Sequence, residues 1–155
     1  LSANKIFKPQ AGKVTLLINN GIHPGEPEGI DASMMWAREL LEKKALPANV
    51  VLCIVPVYNV DGCLNRGVSR INQNGPNSYG FRANSRNYDL NRDFIKTDSK
   101  NSESWQQMFQ TWKPHIIIDN HTSNGADYQH AVTYFPTQKD KFHPQVSAFF
   151  TKIFN

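Results

Sequence analysis

His23 and Glu26 put an imidazole and a carboxylate three residues apart, with Pro24 and Gly25 bending the chain between them. Far downstream, His121 sits in the run Asp119-Asn120-His121-Thr122. A catalytic zinc takes three protein ligands and keeps one position open for water, and two histidines with one glutamate are a recognised set. His23 and Glu26 from one loop, with His121 from another, would supply it. Structural zinc usually adds a fourth ligand, often cysteine, and none stands nearby in the sequence. The competing reading of one HxxE is a capping carboxylate beside a surface histidine, and its spacing leaves both readings open. His121 favours the metal, because a second strand end would otherwise also spend a polar residue at the same edge. His115, His130 and His143 are weaker candidates; His115 follows Pro114 at a strand start and reads as structural.

The polar stretch between residues 58 and 100 holds Arg70, Arg82, Arg86, Asp89, Asn91 and Arg92. Arginine presents a rigid fork of donors that pairs bidentately with a carboxylate. An Asn-Arg pair on a loop beside a metal would receive a free carboxylate end. Solvated loop charges paired with Asp89 and Asp93 are the equal alternative, and the pattern alone does not choose.

The elements that must position these groups follow from the apolar pattern. Val14 to Asn19 is a β-branched, apolar run with Gly21 close behind, the signature of a buried strand leaving a sheet. Its carboxyl end, entering a helix near Pro27, is where α/β proteins place ligands. Ile30, Met34, Ala37, Leu40 and Leu41 recur at helical spacing up to Lys44, which predicts an amphipathic helix on a sheet, ended by Pro47. Val50 to Val55 is nearly continuous in apolar residues, as in a strand covered on both faces. Strand, helix and strand in this order make a right-handed βαβ unit.

Tyr58 to about Lys100 reads as one long loop, of a length that is usually functional. Glu103 to Trp112 resumes helical spacing, and His115 to Asn120 is a third buried strand. Residues 1–13 lead into the first strand, Ala131 to Phe135 is an extended run, and Pro144 to Asn155 is a final helix with one apolar face. That face is expected to pack on residues of the domain absent from these 155. The whole reads as part of one domain, without repeats or an internal boundary.

The totals exclude several classes. Nine phenylalanines and three tryptophans among 155 residues argue for a packed core rather than a disordered chain. No apolar stretch reaches the ~18 residues a membrane span needs. The net charge of +4 is scattered, with no basic helix or aromatic-flanked RNA motif, so nucleic acid is not expected as a partner. Two cysteines, Cys53 and Cys63, are too few for a disulfide scaffold.

Three separated blocks resemble the zinc carboxypeptidases of the M14 metallopeptidase family. GIHPGEPEG at 21–29 is similar to that family's GxHxxE, FRANSRNYDLNRDF at 81–94 to its arginine–asparagine stretch, and IDNHTS at 118–123 to the segment with its last metal ligand. NVDG at 59–62 resembles the family's NPDG turn, with Val60 in place of proline. Asp93 departs from the asparagine, and Pro24 from the small residue, that many members carry.

The resemblance implies an α/β fold, a mixed central β-sheet flanked by helices, incomplete here, with residues 1–155 forming the N-terminal and central part of one catalytic domain. It implies one Zn2+ held by His23, Glu26 and His121, and hydrolysis of C-terminal peptide bonds. Arg82 would stabilise the oxyanion, while Asn91 and Arg92 would bind the free carboxylate of a peptide or peptide-like substrate. The family's general-base glutamate lies downstream of the third ligand and is not in this chain; Glu103 precedes that ligand and is not assigned the role. Asp119 is read as lying on the other face of its strand from His121 and as a partner for the metal-bound imidazole. A secreted or periplasmic setting is favoured. A zinc amidase or deacylase, or a non-catalytic module that binds zinc and carboxylate, are the alternatives.

Overall fold

A computed structural model describes residues 9–68, 77–123 and 126–154. Arg70, most of the lead-in at residues 1–13 and Asn155 lie outside the described residues. The chain divides into two compact units, Leu1–Gly125 and Ala126–Asn155.

In the first unit, the apolar runs become a three-stranded parallel sheet in the order β2-β1-β5. Strand β1 spans Val14–Asn19, β2 Val50–Val55 and β5 Ile116–Asp119. Val14 pairs with Val50 and Asn19 with Val55, while Asn19 pairs on its other side with Asp119. All three carboxyl ends therefore share one edge, the edge from which His23 and His121 follow. The 16-residue helix α1, Glu28–Lys43, connects β1 to β2. It begins one residue after Pro27, whose carbonyl accepts from the Asp31 N–H, and it ends at left-handed Lys44, before Pro47. Gly21 is needed where β1 leaves the sheet: its φ is +64°, and a Cβ there would lie 2.9 Å from Ile30 Cδ1.

The core lies on the odd-numbered face of β1. Leu17, Cys53 and Trp105 are buried together, with Val51, Val55, Tyr58, Phe94, Met108 and Trp112 packed around them. Trp105, Met108 and Trp112 come from α3, Lys100–Trp112, and Trp105 meets the rings of Tyr58 and Phe94 edge-on at 5.5 and 5.6 Å. Full burial of a side chain such as Leu17 is worth about 1.5–3 kcal/mol.

Three burial expectations are corrected. Strand β5 is exposed, with Ile116, Ile117 and Ile118 at 53%, 42% and 42% accessibility. In β2 only Cys53 is buried, and α1 buries Ile30 and Ser33 while Met34, Met35, Trp36 and Leu41 face outward. An apolar run fixes what a segment prefers, but burial requires a covering element, and among the described residues these surfaces are open.

The stretch 58–100 is more regular than a loop. It contains α2 (Val60–Leu64), an antiparallel pair of β3 (Arg66–Gly67) with β4 (Tyr79–Gly80), and a 3-10 turn at Leu90–Arg92. Asn59 caps α2 by accepting from the Gly62 N–H, and its amide donates to the carbonyls of Ile22 and Arg82, tying the turn to the segments that carry His23 and Arg82. Gly62 is obligatory here, since a Cβ would stand 2.3 Å from the Phe81 carbonyl oxygen.

In the second unit, residues 131–135 form no strand, and α4 spans Pro144–Phe154. The rings of Phe142 and Phe150 meet at a tilt, their centroids 4.9 Å apart, whereas Val146, Phe149 and Ile153 are exposed.

Candidate metal centre

The turn after β1 folds back on itself through the Glu26 N–H to His23 carbonyl bond, so that both side chains point inward; His23 is 2% and Glu26 4% exposed. His121 leaves the end of β5 and reaches the same point from the neighbouring strand. Its Nδ1 lies 3.0 Å from Glu26 Oε2, and His23 Nδ1 lies 3.2 Å from Glu26 Oε1. The Thr122 N–H also donates to Glu26 Oε2. The approach of β5 to α1 depends on Gly29, where a Cβ would meet Asn120 Cβ at 2.5 Å. Gly80 plays the same part beneath the turn, where a Cβ would meet Pro24 Cβ at 2.5 Å.

Each imidazole is oriented from behind by a second carboxylate. His23 Nε2 lies 3.0 Å from Asp89 Oδ1, and His121 Nε2 lies 2.9 Å from Asp119 Oδ2. A carboxylate only accepts, so each Nε2 carries a proton, and each Nδ1 would offer its lone pair to a cation once it carries none of its own. Asp119 therefore reaches His121 on the same side of the strand, contrary to the opposite-face expectation, because residues two apart in a strand share a face.

The electrostatics agree with a cation site. Burial works against charge on Glu26, but hydrogen bonds from His121, His23 and the Thr122 N–H prevail and hold its carboxyl well below the usual range. Asp89, disfavoured by burial, is likewise lowered by His23, Arg82 and the Asn91 N–H. Hydrogen bonds to Asp119 and Glu26 raise His121 to about 9. Binding a metal through Nδ1 then requires that nitrogen to release its proton.

His23, Glu26 and His121 form a group that could hold a metal ion, with one ligand atom from each lying within 4.8 Å of the others. The donor chemistry fits zinc, with two imidazole nitrogens that would bind in their neutral form, one ionised carboxylate and a carboxylate behind each ring. Arg82 joins the group: its Nε donates to Asp89 Oδ2 at 2.9 Å, and its Nη1 stands 3.2 Å from His23 Nδ1 and 3.9 Å from Glu26 Oε1.

Asn91 and Arg92 are linked to this group through the backbone. The Asn91 N–H donates to Asp89 Oδ1, and the exposed Arg92 guanidinium donates to the Asn91 carbonyl. His115 is structural, its Nδ1 accepting from the Thr15 N–H at the far end of β5. Glu103 lies on the surface of α3, paired with Lys100. Sequence reasoning noted Asp89 only as a charge partner for the loop arginines and missed its place behind His23; the signal available was its position next to Leu90-Asn91-Arg92.

The sequence has counterparts among known proteins. Residues 1–142 match the zinc carboxypeptidase profile, and the chain belongs to the zinc carboxypeptidase (M14 peptidase) family, whose cofactor is zinc. Among individual relatives, carboxypeptidase 2 of Trichophyton tonsurans and that of Trichophyton equinum are each 30% identical over 133 residues, covering 78% of this chain and 21% of theirs. Carboxypeptidase 2 of Trichophyton rubrum is 26% identical over 130 residues, covering 77% and 20%. The chain thus spans about a fifth of the length of the curated relatives it matches. No solved structure matches it. Among the described residues, no helix is long and apolar enough to cross a membrane.

Proposed function

We propose that the protein is a zinc-dependent metallocarboxypeptidase hydrolysing C-terminal peptide bonds, and that residues 1–155 are the N-terminal and central part of its single catalytic domain. The observation that carries this reading is the convergence of two histidine Nδ1 atoms, from two adjacent strand ends, on the buried Glu26 carboxylate with Arg82 alongside. In this reading His23, Glu26 and His121 would hold one zinc, which would supply polarisation of the scissile carbonyl and a lowered pKa for water.

The chain's own side chains do the rest. Asp89 and Asp119 fix the tautomer and the angle of the two ligand rings. Arg82, with 39% of its side chain accessible, faces the negative charge that develops on the carbonyl oxygen. Asn91 and Arg92 hold the free carboxylate of a peptide or peptide-like substrate, so that only the terminal bond reaches the metal. A glutamate outside these residues takes the proton from water and delivers it to the leaving amine. A secreted or periplasmic setting belongs to the same proposal, and fractionation of the producing cells and their medium tests it.

The functional test compares hydrolysis of one peptide with a free and with an amidated C-terminus, by the parent protein and by Arg92→Ala. A charged hydrogen bond of about 1.5–3 kcal/mol makes the expected loss for the free peptide about 10- to 150-fold in kcat/KM. Zinc stoichiometry stays at the parent value. An Arg92→Ala protein that still prefers the free peptide by the parent's margin overturns the assignment. A parent that cleaves both peptides equally would move the reading to a zinc amidase or deacylase.

A further inference from the structure

Strands β1 and β5 meet at their carboxyl ends in the register pair Asn19 and Asp119. Directly paired residues of neighbouring strands project to the same face about 4.8 Å apart, close enough for their side chains to bond. Here Asn19 Nδ2 donates to Asp119 Oδ1 at 2.8 Å, while Asp119 Oδ2 faces His121 Nε2. The line from Asn19 through Asp119 to His121 therefore ends at Nδ1, the atom turned to Glu26.

Asn19 is an unexpected residue at this place. It is fully buried, on the same face of β1 as Leu17, and its own Oδ1 has no hydrogen-bond partner. A buried amide with an unpartnered oxygen is a cost to folding, and an apolar side chain of the same size would avoid it. Asp119, by contrast, keeps 31% of its side chain accessible, so water would solvate its carboxylate if Asn19 were replaced. The gain from Asn19 is thus orientation: it fixes the Asp119 carboxylate in the one rotation that presents Oδ2 to the imidazole.

We propose that Asn19 is a positioning residue for the metal, acting through Asp119 to hold His121 with Nδ1 directed at the ion. The inference rests on the assignment of His121 as a ligand. It makes β1 contribute to both histidines, since His23 follows from its end and His121 is steered from its last residue. The two ligand rings then have different supports: the carboxylate behind His23 is held by Arg82, the one behind His121 by a buried amide.

The test is zinc affinity by chelator competition, with urea unfolding as a parallel readout, on the parent, N19L, D119N, the exchanged pair N19D/D119N and H121A. N19L is expected to unfold at the parent's urea midpoint yet bind zinc about 10- to 100-fold more weakly, the range for loss of an outer partner. D119N should weaken zinc similarly, because one amide cannot both accept from His121 Nε2 and accept from Asn19. In N19D/D119N the new amide at position 119 donates to the new carboxylate at position 19 and accepts from His121, so affinity should recover at least about tenfold over D119N. A folded N19L with zinc affinity within twofold of the parent overturns the proposal. Should N19L not fold, an exchanged pair no better than D119N overturns it equally. H121A separates the two assignments: zinc retained there removes the ligand reading itself, whereas zinc lost in H121A but unchanged in N19L removes only the role of Asn19.

Discussion

Replacing Asp93 with alanine tests how the Asn91-Arg92 turn is anchored. Asp93 follows Arg92 directly, is 4% exposed, and gathers four donors: the Asp98 N–H at 2.8 Å, the Ser99 N–H at 3.0 Å, and the Ser99 and Ser102 hydroxyls at 2.6 Å each. Ser99 in turn caps α3 by accepting from the Ser102 N–H. In Asp93→Ala the Asp98 N–H reaches water, and the Ser99 hydroxyl turns to Ser102 Oγ, 3.1 Å away. The Ser99 N–H and the Ser102 hydroxyl stay buried without an acceptor. At about 1–3 kcal/mol for each, the expected cost is about 2–6 kcal/mol, a large part of the stability of a typical domain. Asp93→Asn keeps one accepting oxygen for the two hydroxyls and opposes only the Asp98 N–H, which solvent can serve, so about 1–2 kcal/mol is expected.

The same carboxylate predicts a pH dependence. Burial alone would raise its pKa, but the Ser102 and Ser99 hydroxyls and the two N–H groups bring it down to about 2. A carboxyl lowered on folding contributes fully above its unfolded value of about 3.9 and loses that contribution as pH falls through the folded value. The stability gap between parent and Asp93→Ala in urea unfolding should therefore be constant from pH 7 to about 5 and narrow by about 2.6 kcal/mol as pH falls from about 5 to 1. A gap below about 1 kcal/mol at pH 7, or Asp93→Asn as costly as Asp93→Ala, would refute the reasoning.

Gly62→Ala drives a methyl to 2.3 Å from the Phe81 carbonyl and 2.8 Å from that of Ala83, so a loss of about 1–3 kcal/mol or more is expected in thermal unfolding; an unchanged midpoint would show that the two segments are not in contact. Val60 is exposed at the first position of α2, where a proline ring fits the helix, and Val60→Pro should stabilise by about 0.4–1 kcal/mol in urea, with a destabilised variant contradicting the cap geometry. Zinc at a hundredfold excess over its dissociation constant should stabilise the protein by about 2.7 kcal/mol against a chelated sample, and His121→Ala should abolish that shift; a shift surviving in the variant would exclude His121 from the ligand set.

The strands and the two long helices were legible because their signal is local. Val14–Asn19 and Val50–Val55 occur with the bounds their apolar runs predicted, and α3 begins only three residues earlier than Glu103, where Ser99 supplies a cap. Burial was not legible for β5. Ile116 to Ile118 announce an apolar strand, but whether anything covers it is a property of other elements. The regular pieces inside residues 58–100 were hidden for a different reason. Helix α2 has five residues and the strands of the β3–β4 pair two each, too short for any periodicity to register.

The candidate site divides along the same line. His23, Glu26 and His121 were readable because metal chemistry restricts which side chains can serve, so a few residue types at strand ends stand out. The groups behind them are restricted only by position. Asp89 meets His23 across 66 residues, and Asn19 meets Asp119 across 100, and in each case an ordinary polar residue acquires its role from the register of the sheet or the path of a loop. An asparagine in the last position of a buried strand has no local reason to be there. It becomes intelligible once Asn19 is paired with Asp119, and under the proposal made above the same pairing would make the direction of His121 a consequence of strand register rather than of the loop that follows it.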